Sequence, residues 1–465
     1  YAKWTATSYT ITYNLDGGTN NGSNPATYTV TTPTITLLAP TKTGYTFGGW
    51  YLEDTYVTAK TEIDLGSTGA VTVYAKWTAN SYTITFDKQS GTGGSNSGTA
   101  TYGSSMPTAT APTRTGYTFT GYWDATTGGI QYYTNTMASS RNWDKTANTT
   151  LYAGWTIAYG TVESLSIIEK QEAVSVTGVS DGSYTQYYTD GTGFIHNISA
   201  FTIGKYEVTY ELWYTVRQWA ISNGYTFANA GKEGNDGTAG AVPTTAKYEP
   251  VTTVNWRDTI VWCNAYSEMS GLTPCYSYSS TTIKDSQDTN ATACDGAVCD
   301  WSANGYRLPS EGEWQYAASA KGATPYNYAS GATTFYNDIA DVTPANGVVD
   351  GKDTNDAVAV YYQYWNGSSW VSTGVTKTAE VGTKTANALG IQDMSGNVFE
   401  WSWDWYGSYP TVAQSDYKGV GSGSARINRG GSYSNFAVIL PVGYRDFSYP
   451  FSESINVGFR IARTN

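Results

Sequence analysis

Over the first third of the chain, Tyr, Thr, Ile and Val alternate with polar residues at period two, as in SYTIT at Ser8–Thr12 and again at Ser81–Thr85. Runs such as LDGGTNNGSNP (Leu15–Pro25) interrupt the alternation. Successive strand residues point to opposite faces, and Gly, Asn and Ser supply turn conformations, so this stretch predicts short strands joined by hairpins. The pattern also repeats. GYTFGGW at Gly44–Trp50 returns as GYTFTGYW at Gly116–Trp123, and YAKW at Tyr1 and Tyr74 returns as YAGW at Tyr152, a period of roughly 70–80 residues.

Beyond residue 200 the spacing lengthens. Phe201–Val216 (FTIGKYEVTYELWYTV) predicts a strand and then a helix with Leu212, Val216 and Trp219 on one face. Pro250–Gly271 predicts a second helix, and Tyr306–Ala320 a third. The third opens on Ser310 with Glu313 three residues on, a spacing in which each side chain serves a backbone N–H left free at a helix start.

A chain of 465 residues calls for two to four domains. A net charge of -12 argues against phosphate-backbone binding, so nucleic acid is not an expected partner. Only 14% of residues are charged and 15% are aromatic, which suits a folded, β-rich extracellular protein. No apolar run reaches the roughly 18–20 residues of a membrane span. The opening YAKWT, a copy of Tyr74–Thr78, reads as a cut inside a longer protein whose export signal and anchor lie upstream; membrane attachment is expected only through such an anchor. Cys263, Cys275, Cys294 and Cys299 permit three complete pairings. Cys263 is expected as a buried free thiol on a helix. The other three fall in a polar insertion where a disulfide would limit loop entropy. With His196 the only histidine, zinc and a Ser–His–Asp triad are both poorly supported, and His196 reads as a strand or loop residue.

G-Y-T-F-x-G-W and Y-A-x-W resemble the internalin B-type (Listeria–Bacteroides) repeat, a small β-grasp-like module, over about residues 1–157. The blocks KYEVT, PVTTVNWRDT, YRLPSEGEW, IQDMSGNVFEWSWDWY (391–406), RGGS (Arg429–Ser432) and NVGFR (Asn456–Arg460) resemble the formylglycine-generating enzyme (sulfatase-modifying factor) family, whose domain is a variant of the C-type lectin fold. The expected architecture is therefore multidomain: repeat modules at 1–78 and 79–157, a connector at 158–194, and an α+β C-type-lectin-like domain at 195–465.

The family resemblance implies a structural Ca²⁺ held by the carboxylates of Asp393 and Glu400 and the carbonyls of Gly396 and Val398, a hard-oxygen set in a tight turn. The local alternative is that Glu400 pairs within the protein. The acidic stretch Asp350–Asp356 lacks calcium-loop spacing and reads as a solvated turn. The family's oxidases use copper and two cysteines after the RGGS block; the corresponding positions are Asn435 and Leu440, and no cysteine follows Cys299. Neither copper nor catalysis is expected.

Segment 433–455 (YSNFAVILPVGYRDFSYPFSESI) has no clean alternation and no Trp, Lys, Gln or Met. It resembles the variable region of diversity-generating retroelement proteins built on this scaffold, in which Asn codons altered at their adenines become NNC. Tyr433, Ser434, Phe436, Val438, Ile439, Tyr444, Asp446, Phe447, Ser448, Tyr449, Phe451, Ser452 and Ser454 fit that origin, whereas Glu453 does not. These thirteen are the expected ligand-binding residues, with Tyr and Phe giving contact area at low entropic cost and Ser adding hydrogen bonds. The alternatives are a fixed binding surface, or a plain core containing Phe436, Val438, Ile439 and Phe447. The expected protein is a bacterial cell-surface adhesin on a repeat stalk, with a protein or glycan partner. A self-assembling layer or filament subunit is the first rival reading, and a family enzyme with altered chemistry the second.

Overall fold

The structure, a computed structural model, describes residues 1, 3–333, 355–366 and 368–464. Of the acidic stretch, 350–354 lies outside the described residues. The chain divides into two compact units, Tyr1–Ala158 and Tyr159–Asn465.

The first unit holds both repeats. In the first, strands Thr27–Thr29, Ser8–Asn14, Val71–Ala79 and Tyr45–Tyr51 lie side by side in that order. The central pair is parallel, with Ile11 opposite Val71, and the outer pairings are antiparallel. The second repeat copies this plan, with Ile84 opposite Thr149 in its parallel pair. Period-two alternation buries Ile11, Trp50 and Val73 in the first core, and Ile84, Tyr122 and Leu151 in the second. The recurring Y-A-x-W has a structural reason: Trp77 donates its indole N–H to the Leu15 carbonyl at 2.9 Å, and Trp155 donates likewise to Lys88 at 3.0 Å. Each tryptophan thus closes the first turn of its own repeat. The repeats meet at Gly44, whose φ is +78° and whose missing Cβ would lie 2.3 Å from the Tyr102 ring. A side chain there would push the two modules apart.

The second unit starts at Tyr159, so the stretch expected as a connector (158–194) is part of the domain. Strand Ala173–Val176 pairs with Phe201–Gly204, which pairs in turn with Ala462–Thr464. Strand Thr185–Tyr187 pairs with Gly193–Asn197. The described residues of this unit include the helices α1 (Val162–Leu165), α2 (Tyr210–Ser222), α3 (Trp256–Met269), α4 (Ala291–Asp295) and α5 (Glu311–Ala318). Both bonds of the Ser310/Glu313 cap form, and α3 carries a second such box from Asn255 and Asp258. Helices α2 and α3 pack through Trp213 and Trp262, stacked at 5.8 Å. Leu212 and Val216 are buried, and Trp219 is half-buried, on the predicted face.

A four-stranded sheet runs in the order Arg445–Ser448, Arg426–Arg429, Phe399–Trp405, Val457–Phe459. Phe399–Trp405 is interior and buried on both faces except at its last residue, which explains why FEWSWDW is aromatic without alternating. The Arg445–Ser448 strand forms an outer edge of this sheet.

His196 lies in the strand Gly193–Asn197 and is buried. Its Nε2 accepts the Tyr417 N–H at 2.9 Å, so the ring proton sits on Nδ1 and is donated to Gln186 Oε1 at 2.7 Å. Gly312 makes room for the ring, since a Cβ there would lie 2.3 Å from His196 Cε1. All four cysteines are buried free thiols. The disulfide expected among Cys275, Cys294 and Cys299 is absent from this structure. Cys294 instead donates to the Asp285 carbonyl at 3.2 Å, and Cys275 and Cys299 fill the main core with Cys263.

Candidate functional site

The segment 433–455 is fastened from behind by two arginines. Arg429, at the end of its strand, donates to the Val442 carbonyl at 2.7 Å. Arg445, inside the segment, pairs with Glu311, the first residue of α5, through Nε–Oε1 at 2.5 Å and Nη2–Oε2 at 2.8 Å. Arg445 Nη1 also donates to the Tyr188 hydroxyl and the Gly407 carbonyl, each at 3.0 Å. Such planar bidentate pairing fixes orientation as well as position. Tyr409 stacks on Tyr188 at 4.1 Å and donates to Glu311 at 3.2 Å, so the guanidinium is enclosed by aromatic rings.

On this base the expected ligand-binding residues divide into three groups. Phe436, Phe447, Tyr449 and Phe451 are 39, 49, 54 and 51% exposed, and Ser434 is also exposed. Val438, Ile439, Tyr444, Asp446, Ser448, Ser452 and Ser454 are half-buried. Ile439 and Tyr444 lean on the main core. Tyr433 departs from expectation: it is 6% exposed, and its N–H donates to the Asn397 carbonyl at 2.7 Å, so it supports the site without facing solvent. Tyr433 follows by two residues the glycine pair Gly430–Gly431, whose φ values are +94° and +77°.

Three aromatic residues outside the segment join the exposed group. Trp370, on a hairpin of strands Gln363–Trp365 and Trp370–Ser372, stacks on Phe436 at 4.7 Å, with Tyr362 near-parallel on the same ring at 6.3 Å. The hairpin is joined to the segment by a bridge from Gln363 to Phe436 and by the Tyr362 N–H donating to the Asn435 carbonyl at 2.8 Å. Tyr406 packs against Phe447 at 4.3 Å. Tyr449 and Phe451 lie in parallel planes 5.4 Å apart. The sequence signal for the hairpin was the aromatic-rich run Tyr-Gln-Tyr-Trp at 362–365, followed by the turn-forming Asn366.

Asn435 and Leu440, expected at the family's cysteine positions, both make contacts within the fold. Asn435 accepts from Ser432 Oγ at 2.6 Å, and Leu440 is fully buried in a small core with Ala437 and Tyr361.

The expected calcium set lies deeper. Glu400 holds Arg460 through Nη2–Oε1 at 2.6 Å and Nε–Oε2 at 2.8 Å, and accepts the Trp314 indole N–H at 2.7 Å. Both of its oxygens are therefore engaged within the protein. Asp393 accepts the Gly382 N–H at 2.7 Å, and burial pushes its carboxyl up to about 6. Glu207, absent from the sequence reading, accepts from Asn397 Nδ2 and the Val398 N–H; burial first, then Asp393 and Glu400, push it well above the usual range. Three buried carboxylates facing one guanidinium leave an excess of negative charge. Glu400, with both oxygens held by Arg460 and Trp314, does not fit the role of metal ligand expected of it, and among the described residues no group of three or more Asp, Glu, His or Cys side chains is placed to hold a metal ion.

The sulfatase-modifying factor enzyme 1-like domain matches residues 168–465, and the Listeria–Bacteroides repeat domain matches 9–76 and 82–154. The chain is 30% identical over 284 residues to the chaperone protein LppX of Paenibacillus barcinonensis, covering 57% of this chain and 81% of that one. It is 33% identical over 175 residues to the formylglycine-generating enzyme of Streptomyces coelicolor, covering 34% of this chain and 46% of the enzyme, so it spans under half of that relative. Among solved structures, Treponema denticola variable protein 1 is similar at 29% identity and a TM-score of 0.46, over 63% of this chain and 95% of that one. With the family's domain matched across well over half of its length, the chain belongs to the sulfatase-modifying factor enzyme 1-like family and carries two Listeria–Bacteroides repeats ahead of that domain.

Proposed function

We propose that the family domain serves as a ligand-binding module at a bacterial cell surface, with the repeats as its stalk and without the oxidase chemistry of its enzyme relatives. The observation that carries this reading is the division within segment 433–455: Phe436, Phe447, Tyr449 and Phe451 open to solvent while Arg445 between them is locked to Glu311. A rigid base under exposed aromatics is the arrangement that binds partners at low entropic cost. The partner is an extracellular protein or glycan. Tyr362, Trp370 and Tyr406 form the constant part of the surface, and the exposed positions of the segment vary through retroelement-driven diversification. A structural calcium near Asp393 belongs to the same proposal. Asn435 and Leu440 leave the domain without the paired thiols that the family's copper chemistry requires.

Sequencing the codons for residues 425–465 across many cells of the source population, with flanking DNA, tests the variable part. Substitutions confined to the thirteen positions, beside a near-identical template repeat, are expected. An invariant segment with no template would leave a fixed binder or a structural subunit. Light scattering separates those two: a monomer at micromolar concentration keeps the surface free for ligand, whereas ordered self-association assigns the aromatics to subunit contacts.

A further inference from the structure

A cavity of about 220 Å³ opens between the strand Thr185–Tyr187 and the C-terminal half of α5, with Val442 also on its wall. It is separate from the exposed aromatics and owes nothing to the thirteen positions. Tyr184, Tyr187 and Tyr326 line it, the rings of the last two 4.9 Å apart and tilted by 34°. None of the residues around it is charged. Its walls are preformed, because the Gln315 amide is fully engaged: it accepts from Tyr184 Oη at 3.2 Å and the Tyr187 N–H at 2.8 Å, and donates to the Tyr187 and Val442 carbonyls at 2.8 and 3.0 Å. The hydroxyls of Thr185, Thr324, Tyr187 and Tyr326 make no hydrogen bond within the protein among the described residues.

We propose that this cavity binds a single neutral sugar ring. Its volume is below the roughly 300–1,000 Å³ of pockets for drug-sized ligands, so one ring fits and an oligomer does not. Tyrosine faces accept the C–H face of a pyranose, and the uncommitted hydroxyls match its equatorial hydroxyl groups. An anionic sugar would bring a charge that no lining residue pairs. An aromatic amino-acid side chain would fill the volume but leave the threonine hydroxyls unmatched. Val442 is not among the thirteen positions, so substitution at any of them leaves the residues lining the cavity unchanged. The proposal is independent of the reading of segment 433–455.

The test is saturation-transfer NMR on the full chain with methyl glucoside, galactoside, mannoside and N-acetylglucosaminide at millimolar concentration, and with methyl glucuronide and N-acetyltyrosinamide alongside. At least one neutral glycoside is expected to receive saturation with millimolar affinity, weakened about tenfold or more in Tyr326→Ala. Thr185→Val, which keeps the shape and removes one hydroxyl, is expected to weaken it several-fold and serves if Tyr326→Ala fails to fold. No transfer to any neutral glycoside, transfer only to the glucuronide or the tyrosine amide, or binding unchanged in the folded variants would overturn the proposal.

Discussion

Arg445 and Glu311 form a buried bidentate ion pair across 134 residues of sequence, with side chains 6 and 2% exposed. The pair ties the edge strand to the start of α5, close in sequence to the exposed Phe447, Tyr449 and Phe451. Removing one member leaves the other charge buried and unpaired, a change that costs about 3–5 kcal/mol. Arg445→Ala is therefore expected to lower stability by that order in urea unfolding. Tyr449→Ala and Phe451→Ala, at exposed positions, are expected to cost less than about 1 kcal/mol. Equal losses at all three positions would mean that the segment is core throughout.

The stack of Phe436 on Trp370 joins a position in the segment to the hairpin of Gln363–Trp365 and Trp370–Ser372. Aromatic pairs contribute about 0.5–1.5 kcal/mol beyond area burial. A double-mutant cycle of Phe436→Ala and Trp370→Ala is expected to give a coupling energy in that range. A coupling near zero would show the two rings to be independent in solution and would remove the hairpin from the binding surface.

The elements most legible in the sequence were those decided by neighbouring residues. The Ser310/Glu313 box, the face of α2 and the alternation of the repeats each depend on spacings of two to four residues, and each appears in the fold. The site was legible as a segment but not residue by residue. Tyr433 and Tyr449 have the same side chain and opposite burial, because the turn after Gly430–Gly431 is set by contacts with Asn397, far away in sequence. Arg445 looked like one more residue of an irregular run, and only its distant partner Glu311 reveals its role. Glu207 escaped for the same reason, since its neighbours Asp393 and Asn397 lie almost 190 residues on. The connector was misread because its strand Ala173–Val176 is held by Phe201–Gly204, which pairs in turn with the last strand of the chain, a relationship that has no local signature.

His196 gives a pH dependence with a definite sign. Burial, with Lys418 adding to it, pushes the ring down to about 4 from its usual 6.5. The unfolded chain takes up its proton at a higher pH than the folded one, so stability is full above about 6.5 and is lost as pH falls toward 4, by up to about 3 kcal/mol. Thermal unfolding followed between pH 7 and about 4 should show this loss. His196→Gln should flatten the slope by one proton per molecule. An unchanged slope in the variant would mean that the ring is already charged in the folded protein.

The thiols are expected to be inert. Burial pushes Cys275 up to about 11 and Cys294 up to about 12, and raises Cys263 and Cys299 well above the usual range. The thiolate is the reactive form. Native protein should therefore show almost no reaction with Ellman's reagent at neutral pH, and four thiols after denaturation. Two fewer thiols after denaturation would reveal a disulfide among Cys263, Cys275 and Cys299, which lie close enough to influence one another's ionisation.

The calcium proposal requires a variant that separates metal loss from loss of the internal ion pair. Glu400→Gln does not separate them, because it breaks the contact with Arg460 and destabilises the domain with or without metal. Asp393→Asn does, since the Asp393 carboxylate makes its contact with Gly382 through one oxygen while its charge adds to the buried excess. A ligand that binds only the folded state stabilises it by about 2.7 kcal/mol at a hundred times its Kd. Wild-type protein cleared with EDTA is expected to gain stability of this order in millimolar calcium, and magnesium, which demands tighter octahedral geometry, should give much less. Asp393→Asn should remove the calcium response while itself relieving part of the buried repulsion. If calcium leaves wild-type unfolding unchanged, the calcium proposal is overturned, and Arg460 is left as the cation that Glu207, Asp393 and Glu400 share.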